Sequence, residues 1–379
     1  MFEGKKLICP ISGSTKFSKI FTIRKFPIYM GVVNKSKRFE FKQLTFNINK
    51  SSGSVQIHPK VPLKKLYFKP HGSGTVGMTW KNHHSSFFKF LNKDFKNLVI
   101  EIGGGHNSVS ESIGLSGFKK DYKLISFDPN GKKYSNPNHF IVKDFFSKKY
   151  VKKYKDKISL VIHSHLFEHI YDPNNFLTDI NNSLKIGGLH IFSVPNLKFM
   201  IKNGYSNAMN FEHPYFLEES MIDYLLKKNG FKILKKRKYL NHSIFYKTIK
   251  TTNNPKKINV YRKFKINKRL FKDYYRNLKK DINLINKKIK NYQNVYLFGA
   301  HIFSQMLIFN GLDISLIKNI LDNDKKKHNQ YLYGTKIKVV GPKNLRKVDK
   351  PIIILRAAQY SNEIKKDILK NINYKTRFI

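Results

Sequence analysis

The stretch LVIEIGGGHNSVSESI, residues 98–113, constrains this chain more than any other part of it. An apolar run carrying Glu101 passes directly into Gly103, Gly104 and Gly105, and then into a segment of helical character. Glycines there let the backbone approach a ligand closely, and the amides of the following helix start can satisfy its polar groups. A strand, a glycine turn and a helix make the first unit of an α/β sheet whose ligand crevice lies at the C-terminal strand ends. The surroundings agree, because KLISFD, HFIVKD, ISLVIHS and LHIFSVPN alternate with helical patterns from Asn97 to Lys250. Several of these runs are too apolar to be buried on one side only, which is how parallel strands read. After the helical YFLEESMIDYLLKKNG come FKILKKRKYL and HSIFYKTIK, two adjoining strands expected to pair as an antiparallel hairpin at the sheet edge.

The remaining segments flank this unit. A length of 379 residues suggests two or three domains, and 40% hydrophobic residues with 14% aromatics are enough to give each a core. Residues 1–70 read as a small β-rich head, with FTIRKFPIYMGVV, FEFKQLTFNI and SVQIHP as its strands. Residues 71–250 hold the parallel unit, and 251–292 read as a linker, TTNNPKK, followed by a Lys-rich helix. A second strand-turn-helix at NVYLFGAHIFSQMLIFNG opens a C-terminal α/β domain over 293–379.

The chain carries 73 Lys and Arg against 24 Asp and Glu, a net charge of +49, and such a field attracts polyanions. The Lys residues are nevertheless spread beside abundant Asn, Ile, Phe and Tyr, the mixture an AT-rich coding sequence produces. The nearest approach to a basic stripe with aromatics, KKYVKKYKDK at 148–157, reads equally well as a solvated helix face. No apolar run reaches the roughly 18 residues of a membrane span, and the opening lacks the features of a secretory signal, so a cytoplasmic protein is expected. The single cysteine, Cys9, excludes an intramolecular disulfide and any zinc site built on two or more thiolates. No metal site is expected.

The strand KLISFDPN ends in Asp128, where a carboxylate accepts hydrogen bonds from a ribose diol, so glycine loop and carboxylate together point to a nucleotide-like cofactor. Dinucleotide enzymes favour G-x-G-x-x-G. The sequence here, E-I-G-G-G-H-N, instead resembles the class I S-adenosylmethionine-dependent methyltransferases, whose first motif is acidic-x-G-x-G-x-G. Asn107 replaces the third glycine, a departure softened by the ease with which Asn visits left-handed conformations. The resemblance implies a Rossmann-like class I methyltransferase sheet and S-adenosyl-L-methionine as cofactor. It implies a binding set of Glu101, Gly103, Gly104 and Gly105, with Asp128 on the ribose, Asp144 near the adenine, and Ser164 in the fourth-strand segment ISLVIHSHLFEHIYDPNNFL.

Over nearly its whole length the chain further resembles the three-part sugar C-methyltransferases, which have a zinc-binding head, a methyltransferase domain and a C-terminal α/β domain. In the head, CPISGS resembles a C-x-x-C-G-S knuckle and NKSSGSVQI a C-x-x-C-G-x-V-Q-L knuckle, with Ser12, Asn49 and Ser52 standing where three thiolates would be. A degenerate zinc-ribbon-like head without zinc is therefore expected. At the C-terminus, VYLFGAHIFSQMLI, ILDNDKKKHNQYLYGTKIKVVGPKNL and IIILRAAQYSNEI follow the family's order of motifs, with Tyr333 in place of a proline. The resemblance makes this a Rossmann-like substrate domain in which Gly299, Ala300, Tyr360 and Glu363 line a crevice.

For catalysis the resemblance singles out Glu212 and His213 in NFEHPYF, and His169 in FEHI. Methylation of a carbon beside a keto group needs a base to remove a C–H proton and a donor to stabilise the enolate. Family members also carry a tyrosine-bearing Y-x-Y-H-S-S run where this chain has PHGSGTVG, and a second tyrosine at the position of Asn210. His71 or His83 can substitute functionally, or serve only to cap or pack. The expectation is a methyltransferase acting on a nucleotide-activated sugar or related small anionic glycan precursor, by C-methylation as in polysaccharide biosynthesis. O- or N-methylation of a sugar and methylation of RNA or DNA are the alternatives. The chain lacks both the D/N/S-P-P-Y/F motif of amino-group DNA methyltransferases and a cysteine nucleophile near the fourth strand. A non-catalytic protein that keeps the fold for interactions is a third reading.

Overall fold

The computed structural model describes residues 7–34, 39–67, 78–91, 97–104, 122–131, 136–251 and 263–379. Alternation builds the head: β1 (Phe17–Pro27) pairs antiparallel with β3 (Phe41–Asn49), whose Leu44, Phe46 and Ile48 all turn to the interior. β4 (Val55–His58) pairs with β3, and the fourth strand of the sheet is the two-residue segment Tyr215–Phe216 (β10), contributed from far along the chain. A second short pairing joins β2 (Val32–Val33) to β15 (Tyr331–Leu332) of the C-terminal domain. The four knuckle positions meet in space as a hydrogen-bond network. Ser12 Oγ donates to Asn49 Oδ1 at 3.0 Å, the Ser52 amide donates to the same oxygen at 3.0 Å, and Cys9 Sγ lies 3.2 Å from Ser52 Oγ and 3.1 Å from Ser54 Oγ. Neutral hydroxyl and amide groups thus hold the two turns, a donor set unsuited to a tetrahedral thiolate zinc site.

The central sheet has seven strands. β5 (Asn97–Ile102), β6 (Tyr122–Phe127), β7 (His139–Val142), β8 (Ile158–Ser164) and β9 (Leu184–Pro195) are parallel, while β11 (Phe231–Tyr239) and β12 (Ser243–Lys250) form the expected hairpin, with β12 antiparallel to β9. The spatial order is β11-β12-β9-β8-β5-β6-β7, so the order in which strands are added reverses between β5 and β8, where a ligand crevice opens in such sheets. This is a Rossmann-like α/β architecture. Apolar cores cover both faces, one containing Ile100, Phe127, Val161 and Phe192, the other Val99, Leu124, Leu160 and Phe245. The Lys-rich helix Lys148–Tyr154 buries none of its residues and is a solvated element. Among the described residues no helix is long and apolar enough to cross a membrane.

The helix Phe264–Ile289 follows, burying Phe271, Tyr274, Leu278, Ile282, Ile285 and Ile289 along one stripe. The C-terminal domain is a parallel sheet of β13 (Val295–Phe298), β14 (Ile317–Leu321), β16 (Val339–Val340), β17 (Ile352–Ile354) and β18 (Arg377–Phe378) in the order β16-β14-β13-β17-β18. Head strands, the long helix and this sheet share one continuous core that includes Phe46, Phe271, Ile282 and Leu297. The tightest point of that union is Gly53, at φ +78°, where an added Cβ would lie 2.5 Å from the Lys263 carbonyl carbon and the Phe264 nitrogen. The Asn267 amide donates to the Gly53 carbonyl at 3.0 Å. Backbone meets backbone here, so no side chain can yield. Gly53→Ala is expected to cost about 2 kcal/mol or more in urea denaturation, because strain at positive φ adds to the steric overlap; a midpoint equal to wild type would show that the contact does not hold the head in place.

Candidate active site

A cleft of about 860 Å³ opens at the C-terminal ends of the parallel strands, with Tyr67 on the side of the head and Gly299, Asp322, Tyr360 and Glu363 on the side of the C-terminal domain. Its floor carries the glycine turn. Gly103 sits at φ +78°, and a Cβ on it would meet Leu166 Cδ1 at 3.2 Å; a Cβ on Gly104 would overlap the Glu101 carboxylate, 2.4 Å from Oε2. Glu101 is buried beneath the turn, accepts a hydrogen bond from Ser126 Oγ at 2.6 Å, and is pushed up to about 7 by burial against the pull of that hydrogen bond. Gly105 lies outside the described residues, as does His71.

Asp128, just past β6, lines the same cleft and accepts the Asn130 amide at 2.7 Å on Oδ1. Ser164 at the end of β8 also lines it, 2.7 Å from Ser193 Oγ. Asp144 does not. Its carboxylate is taken by Lys149 Nζ at 2.5 Å and the Tyr150 hydroxyl at 3.0 Å on the rim, and its neighbours Phe145 and Phe146 face the cleft instead. Those hydrogen bonds hold its carboxyl below the usual range.

Opposite the glycine turn, the head places a second group of side chains. Because β10 pairs with β4, and Ile57 N–H donates to the Pro214 carbonyl at 3.1 Å, the preceding Glu212 and His213 are pinned against the head sheet. His169, on the short turn Phe167–His169 after β8, shares its Nδ1–H between the Glu212 carbonyl and the Tyr67 hydroxyl oxygen, each at 3.1 Å. The Tyr67 hydroxyl also hydrogen-bonds the Glu212 side chain, and burial together with the Glu212 charge drives the phenol far above its ordinary range. His213 stacks edge-on with His169, ring centroids 4.6 Å apart; burial pushes it well below the usual imidazole range, and its Nδ1 has no hydrogen-bond partner. The site therefore holds a phenol kept protonated beside an imidazole kept neutral.

Asn210, at the position of a family tyrosine, accepts the Glu212 amide on Oδ1 at 2.7 Å and so shapes the loop. In the C-terminal wall, Gly299 at φ +99° lines the cleft with Tyr360 and Glu363. Ala300 is buried behind it and contributes its amide, which donates to Asp322 Oδ2 at 2.8 Å, while Lys327 reaches the same oxygen at 3.1 Å. The residues that sequence reasoning passed over are Tyr67, Asp322, Lys327, Trp80, His165 and His242, all on the cleft. Tyr67 had one available signal, being the tyrosine that immediately precedes the tyrosine-free PHGSGTVG segment.

Two family models match the chain, one described as a methyltransferase domain over residues 83–236 and one as a C-methyltransferase C-terminal domain over 250–379. Among solved structures it is similar to an S-adenosylmethionine-dependent methyltransferase of Aquifex aeolicus, at 13% identity and a TM-score of 0.36, covering 44% of this chain and 89% of that one. It is similar also to such an enzyme of Mesorhizobium loti, at 10% and 0.34 over 44% and 96%, and to the CurJ carbon methyltransferase, at 10% and 0.37 over 47% and 56%. No curated protein sequence matches it. S-adenosylmethionine is the cofactor that fits, since a glycine turn with no room for a Cβ lies beside a ribose-competent carboxylate at the sheet's reversal point. Gly104→Val should keep the far-ultraviolet circular dichroism of wild type and weaken S-adenosylmethionine binding at least 10-fold in calorimetry; Asp128→Ala should cost about 10- to 100-fold. Unchanged affinity in both would remove this turn from the cofactor site.

Proposed function

We propose that this methyltransferase, built of a methyltransferase domain and a C-methyltransferase C-terminal domain, transfers a methyl group to carbon on a nucleotide-activated keto-sugar or related glycan precursor. The observation that carries the reading is the convergence of the glycine turn, the Tyr67–His169–Glu212–His213 group and the C-terminal wall on one cleft. In this reading residues 1–70 are the head, 71–250 the catalytic domain, 251–292 the linker and helix, and 293–379 the substrate domain.

Bound S-adenosylmethionine supplies an electrophilic sulfonium methyl. Glu101 supports the glycine turn from below, Gly103 and Gly104 present backbone to the cleft where the cofactor would lie, Asp128 would hold the ribose diol, and Phe145 and Phe146 offer an apolar rim in the place expected of Asp144. His213, on the cleft and held neutral by burial, accepts the C–H proton, and the nearby Glu212 carboxylate offsets the charge that then forms on the ring. Tyr67, held protonated, turns its single O–H from the Glu212 carboxylate to the developing enolate oxygen. His169 positions both, since its Nδ1–H bridges the Tyr67 hydroxyl and the Glu212 backbone. Tyr67 thereby takes the role that the resembling family gives to a tyrosine in the segment that lacks one here. Gly299, Tyr360 and Glu363 face the sugar nucleotide from the opposite wall.

Incubation with methyl-labelled S-adenosylmethionine and fractionated cell extract should place label in the nucleotide-sugar pool, on carbon by tandem mass spectrometry. Label on oxygen or nitrogen would make the enzyme a sugar O- or N-methyltransferase, and label only in RNA or DNA would overturn the substrate class. With the acceptor in hand, Tyr67→Phe and His213→Ala should each slow transfer roughly 100-fold or more while leaving cofactor affinity within about twofold. Wild-type turnover in either variant would cancel that residue's role.

A further inference from the structure

Beside the methyl-transfer group lies a second cluster that the mechanism does not use. His83 on the helix Met78–Leu91, His165 just past β8 and His242 in the β11–β12 turn each place one ring nitrogen within 4.8 Å of the others. His83 is fully buried, and neither of its ring nitrogens has a hydrogen-bond partner. A neutral imidazole in that state leaves both a donor and an acceptor unsatisfied, a cost a folded protein rarely carries without a reason. His165 adopts φ 50°, an uncommon backbone for a residue with a side chain, and this directs it away from the path of β8.

The partners of the other two rings are those of ligands waiting to be shared. His165 Nε2 and His242 Nδ1 both contact the one Ser243 hydroxyl, at 2.8 and 2.5 Å. His165 Nδ1 lies 3.4 Å from Glu168 Oε1, the carboxylate–histidine arrangement that fixes the tautomer and frees the opposite nitrogen for a cation. The Trp80 ring packs on all three imidazoles, its centroid 5.3 Å from His83, 4.9 Å from His165 and 4.7 Å from His242. His165 and His242 line the cleft together with Trp80, while His83 is buried behind them.

We propose that His83, His165 and His242 form a three-histidine site for a divalent transition metal, zinc by preference, with one coordination position open to the cleft. Three imidazoles with an open position suit Zn²⁺ or its surrogate Co²⁺, and exclude the oxygen-seeking Mg²⁺ and Ca²⁺. A tetrahedral centre with metal–nitrogen distances near 2.0 Å brings the nitrogens to about 3.3 Å of one another, so the rings close up around the ion as Ser243 withdraws from between two of them.

The test uses the full-length, untagged protein, stripped with chelator and titrated with CoCl₂. One equivalent of Co²⁺ should bind with the intense visible ligand-field bands of a tetrahedral centre, and equimolar Zn²⁺ should displace it. His83→Gln and His242→Ala should lose the bands and weaken binding at least 100-fold, with circular dichroism and S-adenosylmethionine affinity checking that the fold persists. Absence of a saturable one-equivalent site in the wild-type protein overturns the proposal, without reference to any variant. So does wild-type Co²⁺ affinity in His83→Gln.

Discussion

One shared apolar core determines how the parts of this protein sit together. Strands of the head, the segment around Leu197–Phe216, the stripe of the helix Phe264–Ile289 and the C-terminal sheet bury their side chains against one another rather than in separate interiors. Burial of this kind is non-directional and large, at about 25 cal/mol per Å² of apolar surface, so it sets the relative placement of the units before any polar contact refines it. The cleft is what remains between them. Its floor belongs to the central sheet, but one wall belongs to the head and the other to the C-terminal domain. A site composed this way needs rigid joints, and the backbone contact at Gly53 together with the pairings β4–β10 and β2–β15 provides three of them.

Those joints also carry the electrostatics. Because Glu212 and His213 immediately precede β10, the head sheet holds them in a buried corner, where desolvation disfavours the charged form of His213. The consequence differs with the group: the same environment that keeps the Tyr67 phenol protonated keeps the His213 imidazole neutral. Glu168, also buried, is pushed up to about 7, so near neutrality it stands between acid and carboxylate while linking His165 to the His169 and His213 group. A fold that simply exposed these residues would have none of this division of roles.

The parallel strands were legible because burial on both faces leaves continuous apolar runs, and the edge hairpin because its strands follow one another after a helix. The glycine turn was legible because Gly103 and Gly104 answer a local demand, positive φ in one case and the Glu101 carboxylate in the other. Two-residue strands have no periodicity, so β10 and β2, which tie the units together, left no trace in the pattern. The site shows the same divide. Asp128 is fixed by its place at a strand end, whereas Asp144 was drawn off by Lys149 and Tyr150, a surface competition that strand position does not reveal. Ala300 is adjacent to a lining residue, but in a tight turn adjacent residues face opposite ways. Tyr67, His165 and His242 come together only through the packing of three distant segments.

The metal-free hydrogen-bond network at Cys9, Ser12, Asn49 and Ser52 makes sense on the same basis. A small β head with no metal would be marginal alone, because so short a unit buries little of its surface. Here the head is not alone: it takes a strand from the catalytic domain, exchanges another pairing with the C-terminal domain, and shares its core with both. With that support, the local task at these positions is only to hold two turns in register. Hydrogen bonds from Ser12 and Ser52 onto Asn49, with Cys9 packed against Ser52 and Ser54, are sufficient for it. The head therefore needs no thiolates at these positions, since the constraint that places Glu212 and His213 lies in the β4–β10 pairing and the shared core.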